Sequence, residues 1–172
     1  AASDVYKRQA LVGDAELDEG NVYECLQEGW KHDLRNVWWI IDYNRQSLDG
    51  VVHEGLSERL SSVFSAFDWK LILLKYGKLQ EEAFKEPGGD KLKKWIDDCP
   101  NQLYSALIFE GGEVFKKRIL DDIGDQSEVS KLIKKKSDSD FLELMSNLGG
   151  HCISTLCESF NNIKGFLNKK HI

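Results

Sequence analysis

The chain has 172 residues, 41% of them hydrophobic and 30% charged, with a formal net charge of −6. That length fits one domain able to bury a core without disulfide or metal staples. The acidic balance argues against binding nucleic acid through its phosphates, and no run of about 18 apolar residues is present to span a membrane.

The four cysteines, Cys25, Cys99, Cys152 and Cys157, form no C-x-x-C pair. Such usage fits reduced thiols in a cytoplasmic protein, not a secreted disulfide scaffold. The N-terminus lacks the apolar core of a signal peptide. Residues 1–9 are polar and are set aside as a leader or assembly scar, leaving 10–172 as the folded part.

Ala10-Leu11-Val12 is a short strand-like run ending at Gly13-Asp14. The period then changes. Val22, Cys25, Leu26, Gly29 and Trp30 share one helical face, with Asp18 and Glu19 at the start, where negative charge suits the helix dipole. Val37-Trp38-Trp39-Ile40-Ile41 is a continuous run of β-formers, as expected of a strand covered on both faces. Leu56, Leu60, Val63, Phe64 and Phe67 return to helical spacing, with Ser57 as the expected N-cap. A third strand is expected from Trp69 to Gly77.

Strand, helix, strand, helix, strand implies parallel pairing. The expected fold class is therefore α/β, a doubly wound, mostly parallel sheet with helices on both faces. After Gly77 the chain reads as short amphipathic helices marked by Phe115/Ile119/Leu120, Val129/Leu132/Ile133, Phe141/Leu142/Met145 and Ile153/Leu156/Cys157/Phe160. Pro87-Gly88-Gly89 and Gly149-Gly150 are breaks. Lys134-Lys135-Lys136 reads as a solvated face. His171-Ile172 reads as the approach to a further strand, so the chain is taken as a fragment.

Ligands of open parallel sheets bind beyond the carboxyl ends of the strands. Gly13-Asp14 follows the first strand and Asn44-Arg45-Gln46 the second. If the strands are neighbours, Asp14 and Asn44 approach one point, offering a carboxylate and an amide oxygen. These are hard ligands suited to Mg²⁺ or Ca²⁺. Mg²⁺ takes its remaining oxygens from water and phosphate, and the nearby helix start favours an anion. An EF-hand fails, because its Gly position would be Glu19 and its final Glu position Cys25.

Gly13-Asp14-Ala15-Glu16-Leu17-Asp18-Glu19, followed by Asn44-Arg45-Gln46-Ser47-Leu48-Asp49-Gly50, resembles the thiamine diphosphate fingerprint: G-D-G, a helix and strand, then Asn. Within that superfamily, which includes the transketolases, the match is nearest to the homodimeric pyruvate dehydrogenases. Their pattern reads G-D-G-E-M-D-E, then N-x-Q-x-L-D-G. Weaker likeness runs from Leu11 to about Phe166 and takes in Phe67-Asp68-Trp69 and Leu148-Gly149-Gly150-His151. Two positions depart from the family: Ala15 stands where it has Gly, and Cys152 where its G-G-H-D has Asp.

The resemblance implies that Asp14 and Asn44 ligate Mg²⁺ through side-chain oxygens and Gln46 through its backbone carbonyl. Gly13, Ala15 and Glu16 would lie against the diphosphate through their backbone. It further implies oxidative decarboxylation of pyruvate with acetyl transfer to a lipoyl group, a homodimer, and a lipoyl-bearing acyltransferase partner. The present piece would bind diphosphate and metal, carry no catalytic residue and be inactive alone. Transketolase-type two-carbon transfer and a non-catalytic remnant remain the alternatives. Of the other residues, Trp38 and Trp39 are expected to pack the sheet and His53 to sit on a surface loop. Cys152 and Cys157, near His151, are expected to be inert helix-face thiols and not zinc ligands.

Overall fold

In the computed structural model, residues 8–43, 46–47, 50–51, 56–124 and 127–166 are described. They form two compact units, residues 1–72 with 162–172, and residues 73–161. The architecture is α/β, with a small parallel sheet and mostly helices.

The first unit opens with β1 (Arg8–Gly13), α1 (Gly20–Lys31) and β2 (Val37–Asp42). The two strands pair in parallel, from Arg8 opposite Val37 to Gly13 opposite Asp42. The strand therefore starts at Arg8, two residues inside the segment set aside as a leader. A 3-10 turn, Asp14–Asp18, joins β1 to α1. A short antiparallel pair follows, β3 (Gln46–Ser47) with β4 (Gly50–Val51), and then α2 (Leu56–Ala66). Ser57, expected as the cap, lies inside α2, where its hydroxyl donates to Glu58.

Alternate residues of the strands supply the core, as a period of two requires. Val12, Leu17, Leu26 and Phe64 are buried, with Ala10, Trp39, Ile41 and Trp69 packed against them. Trp39, Phe64 and Trp69 meet edge to face, their ring centroids 6.2–6.5 Å apart. Gly29 is needed in α1, since a Cβ there would lie 2.8 Å from the Trp69 ring. Leu11, on the opposite face, is exposed.

The sheet departs from the expected one. Among the described residues each parallel strand has one neighbour, and Trp69–Gly77 forms no third strand. A run of β-formers becomes a strand only where its backbone finds a ladder. Here Tyr76 instead makes an isolated antiparallel bridge to Leu148, and the Gly77 N–H donates to the Asn147 carbonyl.

The second unit is helical: α3 (Lys78–Ala83), α4 (Gly89–Asp98), α5 (Asn101–Glu110), α6 (Gly112–Ile123), α7 (Glu128–Lys134), α8 (Asp138–Ser146) and the start of α9 (Ile153–Phe166). Ser127 and Ser137 cap α7 and α8 by accepting the N–H groups of Ser130 and Asp140, as N-cap serines do. Phe115, Ile119, Val129, Ile133, Phe141 and Met145 are fully buried and form the centre of the core. Gly112 permits close approach of α6 to α8, as a Cβ there would lie 1.9 Å from the Asp138 carbonyl oxygen.

The expected inward face of α9 is a correction. Ile153 and Cys157 are exposed, while Cys152, Thr155 and Ser159 are buried. Contacts on either side of its first turn hold this rotation: the Lys78 N–H donates to Cys152 Sγ just before α9, and the Lys78 ammonium pairs with Glu158.

Candidate cofactor and metal site

The carboxyl end of the parallel pair assembles the predicted residues that the structure describes. β1 ends at Gly13 directly opposite Asp42, so Tyr43 leaves the sheet beside the turn that follows Gly13. Asp14 opens that turn and is 4% exposed, whereas Glu16, Asp18 and Glu19 face solvent. β3, which carries Gln46, lies against the same turn. Asn44 lies outside the described residues, as does His53. Gln46 enters through its backbone, in register with Val51.

The turn tolerates its departure from glycine. Among the described residues, positive φ at non-glycine positions occurs at Asp33 and Asp68 and not at Ala15. Ala15 therefore sits where an L side chain costs no backbone strain. Gly13 itself is extended, with φ −74° and ψ 153°. Its N–H donates to Glu16 Oε1 at 3.4 Å, the second half of a capping box. α1 begins one residue after Glu19, which is its N-cap.

This end of the unit offers the buried carboxylate of Asp14, the backbone of Gln46, and three exposed acids, Glu16, Asp18 and Glu19. Such a set suits a hard cation, not a soft one. Among the described residues no group of three or more His, Cys, Asp or Glu could hold a metal. A site combining Asp14 with an amide oxygen and a backbone carbonyl would not take that form.

In the second unit Cys152 is a buried thiol. It stands just before α9 and receives the Lys78 N–H at 3.5 Å. That bond, the largest cause, helps bring the thiol down to about 7. The sulfur thus accepts a backbone N–H just before α9. The signal was in the sequence: Cys152 replaces the Asp of the family's G-G-H-D. Sequence reasoning also passed over Asp42, which ends β2 opposite Gly13.

No family model matches the chain. It is 29% identical over 147 residues to the pyruvate dehydrogenase E1 component of Buchnera aphidicola subsp. Baizongia pistaciae, covering 84% of this chain and 16% of that protein. To the E1 component of Escherichia coli K12 it is 24% identical over 144 residues, covering 83% and 16%. It is 32% identical over 77 residues to one of the subunits of the Phocaeicola vulgatus apulose-4-phosphate transketolase, covering 44% and 27%. The chain thus spans 16% of the length of the E1 components it matches. By these relatives it is similar to pyruvate dehydrogenase E1 components over most of its length and to a transketolase subunit over less than half of it.

Proposed function

We propose that the chain is the diphosphate-binding piece of a thiamine diphosphate- and magnesium-dependent 2-oxo acid dehydrogenase, with pyruvate as substrate and a lipoyl group as acetyl acceptor. One observation carries the reading: Asp14 is buried at the carboxyl end of a parallel β–α–β unit, with β3 against its turn. Relatives named as E1 components of pyruvate dehydrogenase support the substrate.

In this reading Asp14 and Asn44 hold Mg²⁺ by side-chain oxygens and Gln46 by its carbonyl. Gly13, Ala15 and Glu16 present their backbone to the diphosphate. The acidic side chains of Asp14, Glu16, Asp18 and Glu19 would repel a bare diphosphate, so the metal is required to bring the two together. Mg²⁺ keeps most of its octahedral positions for phosphate oxygens and water, so few protein ligands suffice. The cofactor, when bound, supplies the electron sink for decarboxylation; the protein's part is to bind and orient it.

The rest of the catalytic machinery would lie on another domain, across a homodimer interface in the intact cytoplasmic enzyme, with a lipoyl-bearing acyltransferase as partner. The 172 residues alone would turn over no pyruvate. Calorimetric titration of the chain with thiamine diphosphate should show binding that needs Mg²⁺ and weakens at least about tenfold in Asp14→Ala, the scale for loss of a metal contact. Binding indifferent to both Mg²⁺ and Asp14 would refute the site. No binding, even by a longer parent, would favour a non-catalytic remnant. The Phocaeicola vulgatus relative favours a second reading, two-carbon transfer between sugar phosphates. Turnover of sugar phosphates, and not pyruvate, by the longer parent would select it.

A further inference from the structure

We propose that Glu16 is a positioning residue for Asp14, a role that rests on the metal-site reading above. The Gly13 N–H is the last amide of β1, and it is satisfied by the Glu16 carboxylate at 3.4 Å. That contact ties Gly13, still extended at φ −74° and ψ 153°, to the turn that begins at Asp14. Glycine does not supply the junction by special geometry. Its φ is −74°, and a Cβ there would meet nothing closer than Glu16 Oε1 at 3.8 Å. The side chain three residues on therefore holds the junction, and Asp14 is carried into its buried place as a consequence.

What matters is an acceptor oxygen of the right reach, not the charge, because Gln completes a capping box as Glu does. Glu16→Ala should weaken Mg²⁺–thiamine diphosphate binding about fivefold, the worth of one capping contact. Glu16→Gln should keep it within about twofold. The NMR signals of the Gly13 amide and the Asp14 carboxyl carbon should move in Glu16→Ala and stay near wild type in Glu16→Gln. That readout needs no cofactor, so it stands if the cofactor reading fails. Unmoved signals in Glu16→Ala, or equal displacement in both variants, would overturn the assignment.

Discussion

Phe115 is the residue whose loss the second unit should feel most. It is fully buried in α6. Its ring meets Tyr104 at 5.3 Å and 87°, Phe141 at 5.8 Å and 88°, and Trp95 at 5.8 Å and 54°. Truncating a buried Phe to Ala costs about 3–5 kcal/mol through lost transfer energy and the cavity left behind. Edge-to-face pairs add about 0.5–1.5 kcal/mol each beyond area burial. With three rings losing their partner, Phe115→Ala belongs near the top of that range, at about 4–5 kcal/mol. A unit of this size has about 5–10 kcal/mol to lose, so the variant should be close to unfolding. Phe115→Leu fills much of the hole and should cost about 1–2 kcal/mol. Equilibrium urea unfolding gives both values, and hydrogen exchange locates them. Amides of residues 73–161 should lose protection while those of 8–43 keep theirs. A cost below about 2 kcal/mol for the Ala variant, or equal costs for Ala and Leu, would refute the claim that this ring organises the core.

Two further outcomes test the caps. The Cys152 thiol, lowered to about 7 in the folded chain, returns to about 8.5 when unfolded. Its contribution is therefore fully present above the unfolded value and lost as pH falls through 7; the urea midpoint difference between wild type and Cys152→Ser should grow from pH 6 to 9, and a flat difference would contradict the geometry. Asp33 and Asp68 occupy left-handed backbone, φ 50° and 60°, after α1 and α2. Asp33→Gly and Asp68→Gly should each gain less than the about 0.5–1 kcal/mol that relief of left-handed backbone gives, because Asp33 pairs with the Arg35 guanidinium and Asp68 accepts the Trp30 Nε1–H at 3.0 Å; the full gain at either position on thermal unfolding would count against its side-chain contact.

Periodicity finds the elements whose faces differ strongly in polarity. The β1–α1–β2 unit, α2, and the inward residues of α6, α7 and α8 follow from it directly. It fails where local pattern and tertiary need diverge. Trp69–Gly77 has the composition of a strand, but strand formation depends on a neighbour that no short window contains. The face of α9 escapes it because small polar residues, Thr155 and Ser159, are buried there while Ile153 is not. Asp14 is legible as a residue beyond a strand end. That it is buried, while three acids beside it are exposed, needs coordinates.

The parallel pair carries a practical consequence. Among the described residues β1 and β2 have one neighbour each, and a two-stranded sheet is marginal without further strands or covering helices. Edge strands recruit further strands and template aggregation. Overexpressed by itself at high concentration, the polypeptide would thus be prone to precipitate through its sheet, and lysines introduced along β2 would be the rational remedy.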